Sequence, residues 1–269
     1  MRAVAWFSLV YFLFFSVLTW IRPLAPQKRL WAAVLGVAGL VCTSAVLLAE
    51  TILPSRSAVL VRDWLPVGMM LLAYRQGGHF FTRPNARLQG WLERLDERWL
   101  GRVLPYFTRP SPAGTYLETA YLACYWMIPS ALAVLYVGNA RDAVEEFWSV
   151  VLPAGFVCYG MVPFFQTLPP RAKEEEQRFG SAPGILRRVN LGVLSHGSIR
   201  ANTFPSAHVA APLAASLVVL RHVPAGGAVL LWLSLSIAVA AVLRRYHFAL
   251  DVLAGAAVAA AFLLLVGLR

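Results

Sequence analysis

The chain has 269 residues, 59% of them hydrophobic and 14% charged, with a mean hydropathy of +0.63. A soluble domain is roughly half apolar and about a quarter charged, so a soluble globular enzyme is excluded and a one-domain (1–269), polytopic all-α membrane protein is expected. The net charge of +11 arises from 24 Lys+Arg against 13 Asp+Glu, and the basic residues cluster between apolar runs; that distribution points to the lipid bilayer and anionic headgroups, not to nucleic acid.

Apolar runs fall at about 4–21, 31–53, 58–74, 115–138, 146–168, 206–222, 226–245 and 249–268. Each approaches the length that crosses a bilayer as a helix, so about eight transmembrane helices are expected. The first run lacks a small-residue cleavage site and reads as a retained helix. Arg62 and Asp63 interrupt the third; with Glu50 they sit toward one membrane face, where an ion pair is the plain reading. Between the third and fourth runs, Leu88, Trp91, Leu92, Leu95 and Trp99 recur at helical spacing, with Arg87, Arg94 and Arg98 off that stripe. This predicts an amphipathic helix over about 85–100 lying in the interface plane, or else a short helix packed on neighbouring loops. Glu118 and Tyr121 open the fourth run and are candidates for headgroup contact, or for a bond between helices. The stretch 169–204 starts polar at Lys173-Glu174-Glu175-Glu176. It then mixes Ile185, Leu186, Val189 and Leu191 with Arg187 and Arg188, a pattern suited to a lid at the interface. Cys42, Cys124 and Cys158 lie inside apolar runs and have no metal-ligand spacing, so neither a disulfide framework nor a metal or other cofactor is expected. His79, His196 and His222 read as solvated loop histidines.

Two motifs carry the chemistry. Pro205-Ser206-Ala207-His208 sits where a loop becomes the sixth run. Proline suits a helix start, and the N–H groups of a first turn form an anion site, to which Ser206 adds a hydroxyl. His247 and Asp251, at the start of the eighth run, are four residues apart and share a helix face. A carboxylate bonded to one imidazole nitrogen leaves the other free as a nucleophile or base. Arg244 and Arg245 precede them, and guanidinium forks match phosphate oxygens. With eight spans, Arg171, Ser206, His208, Arg244, Arg245, His247 and Asp251 all fall on one membrane face.

The order and spacing of these motifs resemble the type 2 phosphatidic acid phosphatase superfamily. Its pattern is Lys-x6-Arg-Pro, then Pro-Ser-Gly-His, then Ser-Arg-x5-His-x3-Asp. The second motif is matched with Ala207 for glycine, and the third by His247 and Asp251. The resemblance covers roughly the last 120 residues. It implies a six-helix catalytic core with the motifs in 164–251, and phosphatase chemistry on a membrane lipid phosphate or pyrophosphate without a cofactor. His247 would form a phosphohistidine, Asp251 would orient it, and His208 would protonate the leaving alcohol. Ser206 and backbone amides would hold phosphate oxygens. Two family arginines are missing: Leu168 stands in the first motif, while Ala240 and Ala241 stand where the third has Ser-Arg. Arg171 or Lys173, and Arg244 or Arg245, are the expected substitutes as phosphate ligands. Phe204-Pro205-Ser206-Ala207-His208 and Arg245-Tyr246-His247-Phe248 are closer to the branch containing inositol phosphorylceramide synthases, which implies transfer to a lipid alcohol as the alternative. A non-catalytic lipid-binding protein of the same fold is a second alternative. A transporter would rest on Pro129, Pro153 and Arg62 alone. The expected location is a bacterial cytoplasmic membrane. The excess of arginine on the motif face places that face in the cytoplasm by the positive-inside rule.

Overall fold

In a computed structural model, residues 2–108, 111–172, 185–199 and 201–268 are described. Those residues form helices and no strand. In chain order the helices are α1 (Arg2–Ile21), α2 (Pro26–Ile52), α3 (Ser55–His79), α4 (Ala86–Leu100), α5 (Leu104–Thr108), α6 (Pro112–Ala123), α7 (Met127–Val137), α8 (Val144–Gly160), α9 (Ile185–Gly197), α10 (Ala207–His222), α11 (Pro224–Leu243) and α12 (Ala249–Gly267). Each of the eight apolar runs contains helix, although the fifth leaves its helix after Gly160. Among the described residues, five helices (α1, α2, α3, α11 and α12) are long and apolar enough to cross a membrane; α6 and α7 together make a sixth if they form one bent span. The protein is thus an integral membrane helix bundle.

The fourth run is broken: α6 and α7 meet at 70°. Pro129 explains the position of the break. In a continuous helix its ring would collide with the carbonyl of Tyr125, four residues back, whereas in the first turn of a new helix it is tolerated. The short helices α8 (17 residues) and α10 (16 residues) form the centre, buried along most of their length. Trp148, Phe147 and Phe156 of α8 pack with Ala210, Ala211, Ala214 and Val218 of α10 in one continuous core. Alanine on α10 lets neighbouring helices approach closely, which is how helices associate where lipid supplies no hydrophobic drive. Helices α1–α3 pack against one another, and α1 and α3 also pack on α8.

The amphipathic helix is α4. Asn85 caps it by accepting from the N–H groups of Arg87 and Leu88. It is fixed to the loop that leaves α8. Asn85 N–H donates to the Gln166 carbonyl at 2.7 Å, and Leu168 N–H donates to Gln89 Oε1 at 2.9 Å. Its exposed face carries Trp91, Trp99, Arg87, Arg94 and Arg98, while Leu92 and Asp96 are buried inward. Its inner side is packed on loops, while its outer side presents tryptophans and arginines.

Two polar expectations outside the motifs have definite partners. Asp63 pairs with Arg62 at 2.8 Å, as the ion-pair reading expects, and also accepts from the Tyr136 hydroxyl at 2.6 Å. The Glu50 side chain lies outside the described residues. His222 is not merely solvated, since its Nε2 lies 2.7 Å from Glu146 Oε2. His79 ends α3 half-buried, and the His196 side chain also lies outside the described residues.

Helix α12 approaches the turn before α10 closely at Gly255. A Cβ there would lie 2.5 Å from the Ser206 carbonyl oxygen, a backbone atom that cannot swing away. Gly255→Ala is expected to destabilise the bundle by about 1–3 kcal/mol through overpacking. Thermal unfolding in detergent measures this; an unchanged midpoint contradicts the close approach.

Candidate active site

Four stretches converge on one side of the bundle: the loop after α8, the segment before α10, the α11–α12 connection and the first turn of α12. Backbone bonds join them. Arg171 N–H donates to the Arg245 carbonyl, Asn202 N–H to the Thr167 carbonyl and Ser206 N–H to the Asp251 carbonyl, each at 2.8–2.9 Å. The α11–α12 turn is tight. Arg245 takes a left-handed conformation (φ 64°), and the N–H groups of Tyr246 and His247 both donate to the Ala241 carbonyl, at 2.9 and 2.8 Å. A non-glycine residue at positive φ is sterically disfavoured, so its neighbours must hold it there.

The two motif histidines meet directly. His208 Nδ1 lies 3.1 Å from His247 Nε2, so one ring donates to the other. On its other side, His247 Nδ1 is 3.4 Å from Asp251 Oδ2, an ion-pair distance without hydrogen-bond alignment. Catalytic contacts of this kind are often long without substrate and tighten with it. Asp251 is completely buried. Its Oδ2 accepts from Asn202 Nδ2 and from the N–H of Phe248, both at 2.8 Å. Asn202 also donates to Thr167 Oγ1 at 3.1 Å. Ser206 is buried at the head of α10, and its Oγ makes no hydrogen bond with the described residues.

A pocket opens onto the histidine pair. It is lined by Arg171, His208, His247, Asn202, Thr203, Ser198, Ala201, Pro169 and three tyrosines, Tyr74, Tyr121 and Tyr246. Tyr121 stacks on Tyr246 with ring centres 3.7 Å apart, and Tyr121 lies 5.6 Å from the His208 ring. The Arg171 guanidinium sits 5.4 Å from the centre of the Tyr246 ring. Burial, and then the Arg171 charge, push the His247 imidazole down to about 3, so its ring is neutral at neutral pH.

Arg244 and Arg245 do not line this pocket. Arg244 Nε donates to Glu118 Oε1 at 2.6 Å, and its Nη1 donates to the Phe107 carbonyl. Arg245 Nη1 donates to Asp96 Oδ2 at 2.6 Å. Each was a candidate phosphate ligand; in the structure a buried acid on another helix pairs with each guanidinium. Glu118, a candidate for headgroup contact, is likewise engaged within the protein. Besides Arg244 it accepts from Arg187, Asn190 and the Tyr246 hydroxyl. Tyr121 does line the pocket. Lys173 lies outside the described residues. Helix α9, read as a lid, is tied to α6 through Arg187 and Asn190.

Asp96, Asn202, Thr167 and Tyr74 were not singled out by the sequence reading. Asn202 and Thr167 stand within six residues of motif positions, which is the one signal the sequence holds for them. Asp96 and Tyr74 carry none, because their contacts are formed across 149 and 124 residues of chain.

In this helical membrane bundle two histidines and a guanidinium line one pocket, with a buried aspartate behind His247. A family model described as PAP2 superfamily matches residues 90–265, and the chain belongs to that superfamily. No curated protein and no solved structure matches the chain. Members of the family are generally phosphoric ester hydrolases, and a phosphatase-type activity on lipid phosphate follows at that level.

The position of Arg171 makes a titration prediction. A depressed imidazole stays neutral as pH falls through 6.5, the ordinary value, and protonates only near its lowered value. By NMR of ring-labelled protein, His247 should titrate well below 6.5. Arg171→Gln, which removes the like charge, should move that titration upward. A midpoint at or above 6.5 in the wild type contradicts the assigned environment.

Proposed function

We propose that this protein removes or transfers a phosphoryl group of a membrane lipid phosphate or pyrophosphate, with His247 as the nucleophile. The observation that carries the reading is the 3.1 Å contact between His208 Nδ1 and His247 Nε2, with Asp251 behind His247 and Arg171 in the same pocket. For the two imidazoles to flank one phosphorus atom, the 3.1 Å ring-to-ring bond must open as the phosphoryl group enters.

In the first step Nε2 of His247 bonds to phosphorus while the phosphorus–oxygen bond to the lipid alcohol breaks. The Asp251 carboxylate faces Nδ1 and stabilises the charged ring that results. His208, as the imidazolium, gives a proton to the departing alkoxide and is left neutral. In the second step an incoming hydroxyl loses its proton to His208 and takes the phosphoryl group from His247. Water as that acceptor makes a phosphatase; a lipid alcohol makes a phosphotransferase. Arg171 and the hydroxyl of Ser206 bind the non-bridging oxygens, with charge developing on them in a site shielded from water. The arginine-rich face carrying the site lies toward the cytoplasm by the charge rule, and a bacterial cytoplasmic membrane is its setting.

The decisive experiment presents purified protein with a panel of labelled lipid phosphates and pyrophosphates, with and without added lipid alcohols. Acid-labile phosphate should be trapped on His247, and His247→Ala should abolish turnover. His208→Ala should lose activity on lipid phosphates yet keep much of it on para-nitrophenyl phosphate, whose leaving group needs no proton. Label found elsewhere, or full activity in His247→Ala, contradicts the assignment.

Arg171 should act as a charge-assisted phosphate ligand worth about 1.5–3 kcal/mol. Arg171→Ala should lower kcat/KM by roughly 10- to 100-fold, and Arg171→Lys should recover only part, since the fork is lost. Arg87→Ala, on the exposed side of α4, should leave turnover unchanged. Equal kinetics for Arg171→Ala and Arg87→Ala would remove Arg171 from the site.

A further inference from the structure

We propose that Asp96, on the amphipathic helix α4, is a positioning residue for His247, which makes α4 part of the reaction machinery as well as a surface element. The inference rests on the reading of His247 as nucleophile, and it assigns α4 a role in that site.

The geometry is specific. Asp96 is 2% exposed, and with Leu92 it forms the buried side of a helix whose other acids, Glu93 and Glu97, are not buried. Its two oxygens do different work. Oδ2 accepts from Arg245 Nη1 at 2.6 Å, and Oδ1 accepts from the N–H of Ala249 at 3.0 Å. Arg245 and Ala249 lie two residues on either side of His247. One carboxylate thus grips the His247 turn at both ends. One end is the residue held at φ 64°, and the other is the first residue of α12, where an N–H has no partner within the helix and an anion is favoured.

Two neighbouring bonds complete the frame. Arg171 N–H donates to the Arg245 carbonyl, and Asp251 Oδ2 accepts from Phe248 N–H. Residues 245 and 249 are therefore tied to other parts of the protein and residue 248 to the first turn of α12, and the imidazole between them has little freedom to drift. The Asp96 bonds are the part of this frame that comes from outside the reaction motifs. Helix α4 is itself anchored through Gln89 and Asn85 to the loop leading to Arg171. A shift of α4 would therefore move the His247 turn relative to the rest of the pocket. Displacement of a reacting group by about 1 Å can lower a rate by 100-fold.

The test compares Asp96→Ala, Asp96→Asn and Arg245→Ala with the wild type in phosphatidic acid mixed micelles. The amide of Asn still accepts from Ala249 N–H, while Ala does not. Asp96→Ala should lower kcat roughly 10- to 100-fold, with the inhibition constant of inorganic phosphate held within about 3-fold because Arg171 is untouched. Asp96→Asn should restore most of that loss, and Arg245→Ala should fall between the two. Hydrogen–deuterium exchange gives a readout independent of turnover. In Asp96→Ala, protection should be lost at residues 245–249 and retained in α8 and α10. An Asp96→Ala protein with wild-type exchange in that turn overturns the proposal, whether or not the protein turns over phosphatidic acid. Exchange lost throughout the bundle in both Asp96 variants overturns it as well, because the role would then be general stability. Altered exchange confined to the turn, with no phosphate trapped on His247 even in wild type, keeps the positioning role and removes only the nucleophile reading.

Discussion

A fully buried carboxylate at the head of an apolar helix organises this bundle. Asp251 needs donors, because an unpaired ionised carboxylate away from water is prohibitively unfavourable. The donors come from two places: the Asn202 side chain ahead of α10 and the Phe248 N–H at the mouth of α12. The carbonyl of Asp251 meanwhile accepts from Ser206 N–H. One residue thus joins the two chain segments that carry the histidines, and Gly255 lets α12 come close enough for these bonds. The 3.1 Å meeting of His208 and His247 follows from that junction.

The same logic extends to the arginines. A basic chain that buries guanidinium groups near its centre must supply acids to meet them. Glu118 of α6 takes Arg244 and Arg187, and Asp96 of α4 takes Arg245. Burial raises the Asp96 carboxyl above its usual range, while Ala249 N–H and Arg245 pull it back. These pairs brace the α11–α12 turn from two sides, and Arg171 is the guanidinium lining the pocket among the described residues. The missing family arginines fit this arrangement. Ala240 and Ala241 are fully buried against Leu117, Ala120 and Tyr121, where a longer side chain would not pack. Leu168 gives its N–H to Gln89, so its position docks α4.

Much of the architecture was legible because hydrophobic length and period act locally. Each apolar run contains helix, and the stripe of leucines and tryptophans became α4. The break inside the fourth run was not legible, since the run reads as one continuous span; Pro129 marks its place only once the bend is seen. The approach of His247 and Asp251 could be anticipated because i, i+4 spacing puts them on one helix face.

The partners of the charges were not legible. Arg244 and Arg245 lie beside the nucleophile motif, and sequence proximity made them candidate phosphate ligands. Their side chains turn instead to acids 126 and 149 residues away. The sequence by itself determined that the chain spans a membrane and that His208, His247 and Asp251 stand at or beside the ends of apolar helices. Those properties depend on local hydrophobicity and helical period. Only the tertiary structure decided which arginine faces the pocket and which acid holds the histidine turn. A guanidinium binds whichever buried carboxylate the packing brings within reach, and nothing in the spacing of a linear chain encodes that distance.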